Sequence, residues 1–97
     1  MNQVGDCCRY EFFLAALASE TRQSILKLLL RQEMCVGEVV EVFNVTQPTI
    51  SRHLAILKTA GLVLARREGK HVYYTANRTC MKDCCHQIFE QFEIAPE

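Results

Sequence analysis

Ninety-seven residues, 49% of them hydrophobic and only six of them glycine or proline, make one domain, too apolar to stay disordered and too small to enclose a deep catalytic cleft. Eleven basic and eleven acidic residues cancel, which excludes a polyanion grip spread over the whole chain but leaves room for a local basic face. No apolar run reaches the ~20 residues of a membrane helix, and MNQVGDCCRY has no signal-peptide pattern, so a cytoplasmic protein with no membrane partner is expected.

In chain order, Arg9 to Ala18 reads as a short apolar helix with more aromatic residues (Tyr10, Phe12, Phe13) than one small core face needs. Ser19 can cap a second helix, about Glu20 to Arg31, with Glu20 in its first turn and Ile25, Leu28 and Leu29 facing inward. A third helix, Val36 to Phe43, buries Val39, Val40 and Phe43, and Asn44-Val45 turn the chain. Thr46 or Gln47 caps a fourth helix with Pro48 in its first turn, where a missing N–H costs nothing. Ile50, Leu54 and Leu57 follow at i, i+4, i+7, and Gly61 stops the helix. Leu62–Arg66 and His71–Ala76 are β-like runs around a Glu68-Gly69 tip. A fifth helix, capped by Asn77 or Thr79 and running to about Phe92, carries Met81, Cys85, Ile88 and Phe92 as one apolar stripe. The expected fold is a single domain over residues 1–97. It is mostly helical with a small hairpin, ordered α-α-α-α-β-β-α as in a winged helix-turn-helix. The aromatic excess on the first and last helices suggests a homodimer packed through them.

The charge is unevenly placed. Residues 47–71 hold five Arg and Lys against one acid, whereas residues 1–46 hold four bases and six acids, and residues 72–97 hold two and four. A +4 segment between two of −2 focuses a positive field on the fourth helix and the hairpin. With Ile50, Leu54 and Leu57 inward, that helix offers Gln47, Thr49, Ser51, Arg52 and His53 outward. Gln can pair with adenine and Arg with guanine in two-bond contacts, while Ser and Thr reach bases or phosphates. Arg66, Arg67 and Lys70 at the hairpin are placed for phosphate or minor-groove contact, which orients without specifying. The expected partner is double-stranded operator DNA. The three histidines are scattered, and no nucleophile motif, phosphate loop or carboxylate pair stands out, which argues against an enzyme.

These residues carry a resemblance. LAALASETRQSILKLL followed by MCVGEVVEVFNVTQPTISRHLAILKTAGLVLARREGKHVYYTAN, most of the chain, resembles the ArsR/SmtB family of bacterial winged-helix repressors. The resemblance implies a homodimer that binds an operator and leaves it when an inducer, often a metal ion or metalloid, is bound. The family's metal site in the third helix has Cys-Val-Cys before an acid; here Met34-Cys35-Val36-Gly37-Glu38 keeps Cys35 and has Gly37 in place of the second thiol. The family's other site uses Asp and His along the last helix, which here holds only Asp83 and His86 at a different spacing.

The six cysteines (Cys7, Cys8, Cys35, Cys80, Cys84, Cys85) offer a site of their own. Cys80 and Cys84 lie one turn apart on one helix face, with Cys85 about 100° further round. A helix N-terminus favours their thiolate forms. Three sulfurs suit As(III) or Sb(III), or Cd, Pb or Hg, and Zn would take His86 as a fourth ligand. The last-helix cluster ranks first, Cys7 and Cys8 second, Cys35 third. A persulfide or redox sensor, and a module with purely structural zinc, are the alternatives.

Overall fold

The computed structural model describes residues 10–94. In chain order these form α1 (Tyr10–Ala16), α2 (Glu20–Arg31), β1 (Met34–Cys35), α3 (Val36–Phe43), α4 (Gln47–Thr59), β2 (Val63–Glu68), β3 (His71–Ala76) and α5 (Arg78–Gln91). The four helices, hairpin and last helix are those expected. The addition is β1, which pairs antiparallel with β3, Met34 opposite Tyr74 and Cys35 opposite Tyr73, giving the sheet order β1-β3-β2.

Local chemistry fixes most boundaries. Ser19 caps α2, its hydroxyl accepting from the Arg22 amide at 3.3 Å, a contact worth about 1 kcal/mol. At the other end of α2, Arg78 reaches across from α5 and donates to the Leu30 carbonyl at 2.6 Å. A capping box opens α3: the Cys35 amide donates to Glu38 Oε1 at 2.9 Å. Asn44, at φ 53° and ψ 41°, closes it in the left-handed region that Asn tolerates better than most residues. Gly61, at φ 83°, turns the chain out of α4. The hairpin turns at Gly69-Lys70, since Glu68 and His71 still pair, and Gly69 takes the positive φ of 63° that the first loop position of a type II′ turn requires.

Ile25 and Leu29 of α2, Val39 of α3, Ile50, Leu54 and Leu57 of α4, and Leu62 and Val63 entering β2 are the fully buried core. Each such side chain contributes roughly 1.5–3 kcal/mol by leaving water. The three inward positions of α4 are those that the i, i+4, i+7 pattern marks, and they set which face of that helix looks outward.

The last helix sits in a different phase from its expected stripe. Cys80 and Cys84 are the buried positions, Met81 and Ile88 are half-buried, and Cys85 and Phe92 are exposed. The cause is the helix start. Asn77 accepts from the Cys80 amide (3.1 Å), donates its side-chain amide to the Gly61 carbonyl (3.0 Å), and donates its backbone amide to the Leu62 carbonyl (2.8 Å). Three bonds at one residue pin the first turn against the end of α4 and turn Cys80 inward. Among the described residues no helix is long and apolar enough to cross a membrane.

Candidate nucleic-acid interface and cysteine pair

Gln47, Thr49, Ser51 and Arg52 are all exposed on α4, away from Ile50, Leu54 and Leu57. The Thr49 hydroxyl is 2.9 Å from that of Thr46, so one of its bonds is held locally. His53 differs from the other four. It is half-buried, and its Nδ1 lies 3.3 Å from Arg22 Nη1.

At the hairpin, Arg66, Arg67 and Lys70 are exposed, but they are not equivalent. Arg66 donates through Nε and Nη2 to the two carboxylate oxygens of Glu33, both at 2.7 Å, and through Nη1 to Glu68 Oε1 at 2.7 Å. Its guanidinium also lies 5.0 Å from the centre of the Tyr73 ring. A planar fork matched to a carboxylate is the strong geometry for such a pair. Two acids offset its charge locally, so Arg66 braces the hairpin against the α2–β1 connection. Arg67 and Lys70 remain as hairpin cations with no carboxylate partner among the described residues.

The Arg66 hydrogen bond holds the Glu33 carboxyl below its ordinary value. A depressed carboxylate stabilises the fold above its unfolded pKa, and that contribution is lost as pH falls through the lowered value. Glu33→Gln should therefore melt below wild type at neutral pH, with the gap narrowing once the pH drops under about 4. Thermal melts by circular dichroism between pH 3.5 and 7 check this; an equal gap at every pH would reject the fork as the cause.

The cysteines separate into different environments. Cys80 and Cys84 are 1% and 0% exposed, with their sulfurs 4.0 Å apart, and Cys80 is disulfide-bonded. Cys80 Sγ lies 3.9 Å from the carbonyl oxygen of Ala60, the residue that closes α4. Cys85 faces outward with Met81, Lys82, His86 and Phe89, while Cys35 is half-buried at the β1–α3 junction. His86 is exposed and its Nε2 pairs with Glu90 Oε2 at 3.1 Å. Cys7 and Cys8 lie outside the described residues. Among the described residues, no three His, Cys, Asp or Glu side chains converge to hold a metal. The expected Cys80-Cys84-Cys85 trio is thus a pair plus a sulfur on another face: two residues four apart share a face, and the next along cannot. In the reduced form the pair has the spacing for a soft ion, because bonds of about 2.3 Å at tetrahedral angles set two sulfurs roughly 3.8 Å apart.

A family profile described as "Bacterial regulatory protein, arsR family" matches residues 19–64. The transcriptional repressor SdpR of Bacillus subtilis is 41% identical over 68 residues, which cover 70% of this chain and 76% of that protein. The chain belongs to the ArsR family. Proteins of this family are DNA-binding transcriptional regulators and not enzymes. The arsenical resistance operon repressor of Escherichia coli is 48% identical over 59 residues, covering 61% of this chain and 50% of that protein. Among solved structures, an ArsR-like transcriptional regulator from Rhodococcus sp. RHA1 superposes with a TM-score of 0.77 at 26% identity, over 87% of this chain and 78% of that one. The expected winged helix-turn-helix is the fold these proteins share.

Three contacts between residues distant in sequence shape the site. Glu33 is 33 residues from Arg66, Arg22 is 31 from His53, and Asn77 is 16 from Gly61. Only Asn77 carried a signal, as a helix cap.

Proposed function

We propose that this regulator is a cytoplasmic homodimeric repressor. It binds operator DNA through the outer face of α4 and the hairpin, and is released when the sulfurs of α5 take up a thiophilic ion, As(III) or Sb(III) before Cd, Pb, Hg or Zn. Dimerisation through α1 and the chain's last helix is supported by the apolar surface exposed on α1 and just past the end of α5: Phe12 is 47% and Phe92 61% accessible, and Leu14 and Ile94 are exposed as well. The observation that carries the inducer reading is the position of the Cys80–Cys84 pair, with Cys80 Sγ against the Ala60 carbonyl and Asn77 bonded to Gly61. An ion that draws these sulfurs together moves the first turn of α5, and with it the end of the DNA-reading helix. It releases DNA to the extent that it favours the conformer with wrongly spaced reading helices. The E. coli relative, named for arsenical resistance, supports the choice of metalloid.

Cys80 must be reduced to ligate an ion, so its disulfide favours a second reading, in which an oxidant or persulfide donor is the signal. One experiment separates the two. The fully reduced chain is bound to a fluorescent operator duplex, and anisotropy follows titration with arsenite, antimonite or a persulfide donor. Arsenite should release wild type and the Cys85→Ala and Cys35→Ala variants, whereas Cys80→Ala/Cys84→Ala should bind DNA and stay bound. Alanine is chosen because it has neither a sulfur to ligate the ion nor a hydroxyl to bury. Arsenite release from the double variant equal to wild type would remove the ion site from α5; release by persulfide alone would establish the second reading.

A further inference from the structure

The Arg22 guanidinium joins three elements. Its Nε donates to the Ala16 carbonyl at 2.6 Å and its Nη2 to the Ala15 carbonyl at 3.3 Å, both at the end of α1. Its Nη1 meets His53 Nδ1, on α4, at 3.3 Å. Arginine donates and cannot accept. The bond therefore requires a bare Nδ1 on His53, and the ring proton is assigned to Nε2. For Nε2 no hydrogen-bond partner is found among the described residues.

We propose that Arg22 is a positioning residue for operator reading: it fixes His53 as a neutral ring whose Nε2–H is offered to an acceptor in the DNA groove. The proposal rests on α4 being the element that reads DNA. Acceptors of the right kind are guanine N7 and O6, adenine N7, or a phosphate oxygen. His53 is thereby a different reader from the flexible, permanently charged Arg52 beside it. An imidazole that protonated freely would seek phosphates of any sequence, while a neutral ring held at one tautomer selects by geometry.

The electrostatics point the same way. Burial is the main reason that His53 sits below the ordinary histidine value, and the charges of Arg22 on α2 and Arg52 on its own helix add to it. From α1, the third neighbour, the Ala15 and Ala16 carbonyls hold the guanidinium in place. The folded value is the depressed one, so the fold favours the neutral ring. The resulting stabilisation is present above the unfolded value near 6.5 and is lost as pH falls through the lowered one.

The test uses the full chain and a duplex selected by the wild-type protein from a random-sequence pool, with a scrambled duplex as the non-specific probe. Arg22→Gln should lower the ratio of specific to non-specific affinity about tenfold, a loss of ~1.4 kcal/mol. It should also raise the pH at which the ring protonates, by the share of the depression that the Arg22 charge supplies. Because the chain holds two other histidines, each pH profile between 5.5 and 8 is compared with that of the same protein carrying His53→Gln. The step in the Arg22→Gln difference should lie at higher pH than the step in the wild-type difference. His53→Gln, which keeps a donor at the Nε2 position, should retain most of the specificity and make it indifferent to Arg22. A purely structural Arg22 would lower melting temperature and affinity at every pH and leave the His53 step where it is. Ring-nitrogen NMR of wild type reports the tautomer without any substitution, and a proton on Nδ1 would overturn the proposal. So would an Arg22→Gln ratio and profile equal to wild type while Arg52→Ala still loses specificity. If Arg52→Ala loses none either, α4 does not read DNA and both readings fall.

Discussion

Leu54→Ala should lower the melting temperature by roughly 10–20 °C and abolish operator binding with it. Leu54 is 1% exposed at the centre of the inner face of α4, between Ile50 and Leu57, both fully buried. Truncating a buried leucine costs about 2–5 kcal/mol, the lost transfer energy plus the cavity left behind. In a domain whose whole stability is about 5–15 kcal/mol, that is a large share. At about 4–8 °C per kcal/mol for a domain of this size, a cost of about 2.5 kcal/mol, near the lower end, gives the stated drop. Ser51→Ala, exposed on the same helix, should melt within about 0.5 kcal/mol of wild type. The contrast is the informative part. If Leu54→Ala melts within a few degrees of wild type, α4 is not seated by its apolar stripe. The assignment of its other face to DNA would then lose its foundation.

The features legible in the sequence are those that local chemistry decides. Ser19, Asn44, Gly61, Gly69 and Asn77 each do in the structure what their residue type favours, and the α4 stripe is inward as its spacing requires. What was not legible rests on tertiary contacts. β1 is two residues long and exists only because Tyr73 and Tyr74 pair with it, and no period can be read from two residues. The phase of α5 could not be read either. Met81-Cys85-Ile88-Phe92 and Cys80-Cys84 are both apolar at helical spacing, and the Asn77–Gly61 bond selects the second. The same limit applies to charge. Three hairpin cations look alike in sequence, and only the fold shows that Glu33 and Glu68 occupy Arg66. It applies again to His53, whose partner Arg22 lies on another helix.

The difference between readers and anchors gives the second large effect, on DNA affinity. If Arg52 makes the proposed two-bond contact to a base edge, Arg52→Ala should weaken operator binding by about 1–3 kcal/mol, roughly 5- to 150-fold, and far less on a scrambled duplex. Arg67→Ala and Lys70→Ala should instead weaken binding to both duplexes alike. Each should reduce the slope of log affinity against log salt by about 0.9, the signature of one phosphate contact with its released counterion. Arg66→Ala provides the internal control. Its guanidinium is already committed to Glu33 and Glu68, so removing it takes away a brace more than a free charge, and the slope should change by well under one contact. Titrations at four salt concentrations on the two duplexes read all four variants together. If Arg66→Ala shifts the slope as much as Arg67→Ala, the fork must open on DNA and Arg66 is a phosphate ligand after all. If Arg52→Ala loses both duplexes equally, Arg52 anchors the protein on the backbone and is not a base reader.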